Sequence, residues 1–259
     1  MQAAFTPDPE AGAQRFGIIT GAASGIGKAA ALHLAGQQAG VALVDLQRSG
    51  LDAAQEQITQ TSGSPVLSFA VDVSDEAGVK RLVEETAETF GRIDFLINAA
   101  GILRRTAFTD LSAEEWDLML RVNLRAPFLA CKYTVPWMIH HGRGVIVNVA
   151  SLAGRTSSIL GGAHYTAAKH GLIGLTRHLA RELGPSGLRI NAFCPGATLT
   201  PMTIHSTSPE EIEAVKATIP RRRWASPEEQ AAVIGFLVSD AAVNISGACI
   251  DSNGGALMI

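Results

Sequence analysis

Tyr165 and Lys169 in "YTAAK" stand four residues apart, so a phenol and an ammonium group share one helix face. A free tyrosine phenol has a pKa of about 10 and is inert as a base at neutral pH. A cation fixed beside it would stabilise phenolate, lower the pKa toward the working range and make the pair a proton-transfer device; the alternative is a decoration on a solvated helix. Polar residues also stand at the ends of three apolar runs: Asn98 in "DFLINAAG", Ser151 in "GVIVNVAS", and Pro195 to Thr200 in "INAFCPGATLT". Each alone serves equally well as a turn former or helix cap. Their joint occurrence with "YTAAK" marks a candidate site.

A second group lies near the N-terminus. In "TGAASGIG", Gly21, Gly25 and Gly27, with Ser24 and Ile26 between them, follow an apolar run and open a helical stretch. Glycines there permit a tight turn and close approach of backbone to a pyrophosphate, whose charge meets a helix N-terminus. The spacing is GxxxGxG, and a purely structural turn fits it too. The next apolar run ends in "VALVD", which puts Asp45 where a carboxylate would bind adenosine ribose hydroxyls. An acid at Asp45 repels a 2′-phosphate, and neither Leu46 nor the turn residues Ala23 and Ser24 are basic, which favours NAD over NADP; Arg48 keeps NADP as the minority reading.

The elements that must position these groups read as repeated βα units. Strand candidates are "RFGIIT", "GVALVD", "VLSFAVD", "IDFLINA", "GVIVNVAS", "LRINAFCP" and "GACIDS". They are short, rich in branched residues and not strictly alternating, as expected when helices cover both faces. Helix candidates fall at 25–39, 49–62, 75–90, 113–141, 164–184 and 227–239. Right-handed crossovers then predict an α/β fold, a single-domain Rossmann-like doubly wound parallel sheet of about seven strands. Residues 1–14 read as a loose tail and 15–259 as the domain.

Composition narrows the function. The 259 residues carry a formal net charge of −3, which offers no general attraction to nucleic acid or an anionic membrane. The start has no basic segment followed by an apolar one, and no apolar run approaches a membrane span. Three dispersed cysteines give neither a disulfide framework nor metal spacing, and the seven histidines form no ligand constellation. A soluble, cytoplasmic, small-molecule enzyme that needs no metal is the expectation.

With these residues together, the chain resembles the short-chain dehydrogenase/reductase family from about Gly17 to the C-terminus. The matching pieces are "TGAASGIG", Asp45, Asp72–Val73, "NAAG" at Asn98–Gly101, Asn123 in "RVNL", Ser151, "YTAAK", "PGATLT" and "SNGG". The resemblance implies that Tyr165 is the general acid/base and that Ser151 hydrogen-bonds the substrate oxygen. It makes Lys169 the contact to the nicotinamide ribose and Asn123 the organiser of a proton relay. It also implies cofactor contacts from Asp72 and Val73 beside the adenine, from Asn98, Ala99 and Gly101, and from Pro195, Gly196, Thr198 and Thr200. Two departures stand out: Ala99 replaces the second Asn of the family's NNAG, and the gap from Ser151 to Tyr165 is one residue longer than usual.

Substrate contacts are expected from Ile102 to Thr106, Ala153 to His164 and a lid at 197–226. Arg104, Arg105, Arg155 and Arg221 to Arg223 there suit an anionic hydroxy or keto substrate, or else pair with surface carboxylates. Arg104, Arg155 and His164 are the substrate candidates. Few aromatics line these segments, Trp224 excepted, so the reading is an NAD(H)-dependent oxidoreductase for a polar sugar, polyol or hydroxy acid. A 3-oxoacyl-acyl-carrier-protein reductase and a non-catalytic dinucleotide-binding regulator are the alternatives. The resemblance implies a homotetramer.

Overall fold

A computed structural model describes residues 14–259. The expected tail at 1–14 falls almost wholly outside the described residues. Seven strands form one parallel sheet: β1 Phe16–Thr20, β2 Gly40–Asp45, β3 Val66–Ala70, β4 Phe95–Asn98, β5 Gly144–Val149, β6 Leu188–Pro195 and β7 Cys249–Ser252. Their order is β3-β2-β1-β4-β5-β6-β7. All seven strand expectations hold, and the sheet is doubly wound. Order reverses between β1 and β4, so the crevice beyond their carboxyl ends is where a ligand would lie.

Neighbouring strand residues serve opposite faces. Ile19, Leu43 and Ile97 pack with α1 (Gly25–Gly36), α2 (Arg48–Thr61) and α9 (Pro227–Val238). Ile18, Val44, Leu96 and Ile146 pack with α3 (Glu76–Phe90), α5 (Ala126–His140) and the end of α6 (Ala163–Leu183). Both faces are therefore dry, which is why the strands read as unbroken apolar runs; each buried Ile or Leu contributes about 1.5–3 kcal/mol. The helices start where the sequence supplies caps: Asp75 accepts from the amides of Ala77 and Gly78 in α3, and Ser226 with Glu229 forms a reciprocal cap on α9. Gly91 closes α3 at φ 74°, a conformation glycine adopts without strain.

Two expectations needed revision. The helix expected at 113–141 is not continuous: α4 (Ala113–Leu120) and α5 are joined by a π-helical turn at Arg121–Arg125, which widens the helix at Asn123. The segment 197–226, read from the sequence without helices, contains two, α7 (Pro201–Ile204) and α8 (Pro209–Thr218), each with Pro in its first turn. Among the described residues no helix is long and apolar enough to cross a membrane.

Candidate active site

The crevice is built from the ends of β1 to β6. At the end of β1, a β-carbon on Gly27 would fall 2.2 Å from the Gly21 carbonyl oxygen, and one on Gly21 would fall 2.7 Å from the Ala100 amide nitrogen. Gly21 also holds φ 71°. Only glycine fits this turn against the β4 loop. Ser24 precedes α1 without a side-chain cap bond, and the first turn of α1 contains no acidic residue. The amides there meet no protein anion, so the turn fits a pyrophosphate. Ile26 backs it by packing on the core.

Asp45 ends β2 with both carboxylate oxygens engaged: one accepts from the Ala23 amide at 3.2 Å, the other from Gln47 at 3.0 Å. The acid is thereby fixed against the glycine turn. Leu46 is exposed, and Arg48 lies 3.9 Å from Asp52 within its own helix. Beyond β3, Asp72 accepts from the Ser74 amide at 2.8 Å and Val73 is buried.

The β4 loop is held by a residue not singled out from sequence. Thr20 Oγ1 accepts from the amides of both Ala99 and Ala100 at 3.1 Å. Its position, closing "GIIT", looked like ordinary strand. The Asn98 side chain is buried and donates to Asn148 Oδ1 at 2.8 Å, while Asn148 donates to Thr176 at 2.9 Å. A carboxamide already committed to a cross-strand chain is framework. Gly101 faces the site itself, where a β-carbon would lie 2.7 Å from Asn123 Oδ1 and 3.8 Å from Lys169 Nζ.

The proton-handling residues converge. Ser151 follows β5 with its side chain beside the Tyr165 phenol, and its hydroxyl oxygen accepts from the Ala153 amide at 3.1 Å. Lys169 Nζ lies 5.7 Å from the centre of the Tyr165 ring and donates to the Val149 carbonyl at 2.9 Å. Asn123, buried in the π turn, donates to the Ile102 carbonyl at 3.0 Å and accepts from its amide at 3.3 Å. The π turn re-aims Asn123 at this loop.

The electrostatics reverse one expectation. The Tyr165 pKa is raised, because burial of the phenol outweighs the opposing bond from Ser151. The ammonium that was to lower it is itself desolvated, which brings Lys169 down to about 8. A neutral phenol is a proton donor.

On the far side, Gly196 packs on the backbone of Asn253, and Thr198, buried, donates to the Gly196 carbonyl and accepts from Gln230. Thr198 and Gly196, after Pro195, thus shape the loop. Thr200 caps α7, and its side chain borders Gly25, which brings the β6 loop onto the glycine turn.

The substrate candidates do not line the crevice as free groups. Arg104 lies 3.7 Å from Glu115, Arg155 lies 3.4 Å from Asp251, and His164 is buried with Nε2 3.0 Å from Glu115. Arg105 binds Glu211 with both terminal nitrogens, and Arg223 does the same with Glu229. Pairing with acidic neighbours is the reading these contacts favour. Trp224 is buried. Exposed aliphatic residues, Ile159, Leu199, Met202 and Ile204, occupy the substrate loop and lid instead. Among the described residues no group of three or more His, Cys, Asp and Glu could hold a metal ion.

Comparison with known proteins agrees with this geometry. Residues 21–256 match the family model described as enoyl-(acyl carrier protein) reductase. The chain is 39% identical to levodione reductase of Leifsonia aquatica, with 92% of each protein covered, and 40% identical to D-threitol dehydrogenase of Mycolicibacterium smegmatis, covering 92% of this chain and 91% of that protein. It is 38% identical to a 3-oxoacyl-acyl-carrier-protein reductase of Thermotoga maritima, over 93% of this chain and 97% of that one. The crystal structure of levodione reductase superposes with a TM-score of 0.90 at 38% identity, covering 93% of this chain and 96% of that chain. The chain belongs to the short-chain dehydrogenase/reductase family, oxidoreductases that bind a nicotinamide dinucleotide and interconvert alcohols and ketones.

Proposed function

We propose that this chain is an NAD(H)-dependent reductase and dehydrogenase in which Tyr165 gives a proton to the substrate oxygen in reduction and takes the hydroxyl proton in oxidation. The observation that carries the reading is the convergence of Ser151, Tyr165 and Lys169 beside the glycine turn. A bound nicotinamide dinucleotide supplies or accepts the hydride. Gly21, Ser24, Gly25, Ile26 and Gly27 would hold its pyrophosphate and Asp45 its adenosine ribose. Asp72 and Val73 would flank the adenine. Leu46, Ala99, Gly101 and the Pro195–Thr200 loop would complete that side of the crevice. Lys169 would meet the nicotinamide ribose.

Tyr165 then donates its proton to the substrate oxygen during reduction, and Ser151 steadies the charge developing on that oxygen. Asn123 keeps the Ile102 backbone beside this pair. The raised phenol pKa suits reduction at neutral pH, and oxidation gains as pH rises and phenolate becomes accessible. NAD is favoured because Asp45 is anchored by two amides and Arg48 is turned toward Asp52.

The substrate is a secondary alcohol or ketone recognised without an anion grip, since Arg104, Arg105, Arg155 and Arg223 are all engaged by carboxylates. A neutral polyol or ketone fits better than a hydroxy acid. The 3-oxoacyl-carrier reading, with its expected NADPH and free basic entrance, is disfavoured by the same contacts. The segment 197–226 serves as the lid. Assembly as a homotetramer would use the groove between α4, α5 and α6, where Leu120, Leu124, Phe128 and Leu175 meet.

The test is an initial-rate screen at the absorbance of the reduced dinucleotide, with NADH and NADPH for levodione and NAD and NADP for D-threitol and hydroxy acids. The expected result is at least tenfold preference for the unphosphorylated cofactor and for neutral substrates. Preference for NADPH would reject the cofactor assignment, and preference for acids would reject the substrate assignment.

A further inference from the structure

A carboxylate outside the proton-handling group sits at the junction of three elements that enclose the substrate side of the crevice. Glu115 lies in the first turn of α4, where the Ser112 hydroxyl accepts from its amide at 3.2 Å. One of its oxygens accepts from the Thr106 hydroxyl at 2.6 Å and from His164 Nε2 at 3.0 Å. An ionised carboxylate can only accept, so this contact places the proton of His164 on Nε2. The Thr106 bond is the chief cause holding the Glu115 pKa below the usual carboxylate value, with His164 and Arg104 adding to it, so the ionised form prevails at neutral pH.

His164 immediately precedes Tyr165 and is fully buried. Its Nδ1 has no hydrogen-bond partner, which leaves Glu115 as its polar anchor. Thr106 ends the loop 102–106, and that loop is pinned elsewhere along its length. Asn123 binds both backbone groups of Ile102, and the Gly162 amide donates to the Arg104 carbonyl at 2.8 Å. The fit is close: a β-carbon on Gly162 would fall 2.9 Å from His164 Nδ1 and 3.0 Å from the Thr106 carbonyl oxygen. Between the pins, Leu103 and the Tyr165 ring both border Gly161, where a β-carbon would lie 2.7 and 2.9 Å from them. A shift of Thr106 or His164 is therefore felt at the phenol and at the wall beside it.

We infer that Glu115 is a positioning residue, a carboxylate clamp that fixes loop 102–106 to the N-terminal turn of α6 and so sets Tyr165 against the substrate wall. The kinetic part of this inference rests on Tyr165 acting as the proton donor; the clamp itself does not. Neither Glu115 nor its partners belong to the dinucleotide half of the crevice, so loss of the clamp separates substrate handling from cofactor binding. Gln at this position keeps an acceptor oxygen for Thr106 and His164, whereas Ala leaves both without one.

The experiment compares wild type, Glu115→Ala and Glu115→Gln as full chains. Hydrogen exchange read by mass spectrometry should quicken at least tenfold in peptides covering 102–106 and 158–165 for Glu115→Ala and stay near wild type for Glu115→Gln. With levodione as probe, kcat/KM should fall about tenfold in Glu115→Ala, with dinucleotide Kd within twofold of wild type and recovery in Glu115→Gln. Should Glu115→Ala fail to fold, Thr106→Val removes one of the two contacts and should show the same pattern at reduced size. Unchanged exchange in the Ala variant, a Gln variant as impaired as Ala, or parallel loss of dinucleotide affinity overturns the inference. A wild type inert toward every carbonyl tested would strike the proposed function, while the exchange measurement still decides the clamp.

Discussion

The two sides of the crevice are held by different forces. On the dinucleotide side, backbone meets backbone: the Gly21–Gly27 turn touches its own carbonyl and the β4 loop at distances no β-carbon tolerates, and Asp45 is fixed by two backbone amides, that of Gln47 beside it and that of Ala23 in the turn. On the substrate side, long polar side chains bridge elements far apart in sequence. Arg105 reaches Glu211 and the Ser206 carbonyl in the lid, and Glu115 reaches His164. Steric constraints of the first kind are rigid and intolerant of change. An ion pair such as Arg105–Glu211 is partly exposed, individually weak and free to differ between enzymes that share the scaffold, whereas in the Glu115–His164 contact the histidine is fully buried.

The contrast can be broken most severely at the turn. Gly27→Ala puts a methyl group against the Gly21 carbonyl oxygen, and dinucleotide affinity, measured by calorimetry, should fall at least ~100-fold, equivalent to ~2.7 kcal/mol. Affinity within threefold of wild type would show that the turn can relax, and the contrast would lose its basis.

Lys169 sharpens the comparison, because it lies where the two sides meet and is buried at a cost. Unfolded, its amine holds a proton up to a pH of about 10.5; folded, only up to about 8. Between those values the unfolded chain binds more protons, so stability rises with pH; below about 8 the full penalty, on the order of 3 kcal/mol, applies. Lys169→Met should therefore be more stable than wild type at pH 7 in denaturant unfolding, by about 1–3 kcal/mol, with the gap closing toward pH 10. A less stable variant at pH 7, or a gap independent of pH, would contradict the desolvation account.

The smallest effect is expected at the lid. Arg105→Ala cuts the tie between loop 102–106 and α8, a partly exposed pair worth ~1 kcal/mol or less. The KM for a ketone substrate should rise about two- to fivefold with dinucleotide affinity unchanged. A change in dinucleotide affinity instead would mean that the lid belongs to the other side.

The same difference explains how much could be read from the sequence. The seven strands were legible because burial on both faces demands continuous apolar runs, and the glycine turn because steric exclusion leaves a residue-type signature. Asp45, Ser151, Tyr165 and Lys169 stand at strand ends or one helical turn apart, so local spacing made them candidates and the family resemblance supplied their roles. The π turn at Asn123 was invisible because one widened helical turn leaves the apolar periodicity almost intact. The side-chain bond of Asn98 was not legible because its partner, Asn148, lies fifty residues away on the adjacent strand. The sequence left the arginines between an anion site and pairing with carboxylates because nothing local announces that Glu115, Glu211 and Glu229 stand opposite them. The sign of the Tyr165 shift depended on how deeply the phenol and ammonium are buried, and spacing carries no measure of burial.

The central claim is that the Tyr165 phenol is the proton donor of a site assembled from β5, α6 and the glycine turn. The most direct test is single-turnover hydride transfer with saturating NADH in Tyr165→Phe against wild type, with dinucleotide Kd measured in parallel. The account predicts a loss of roughly 10²–10⁴-fold in the transfer rate and an unchanged Kd. Equal transfer rates in the two proteins would contradict it.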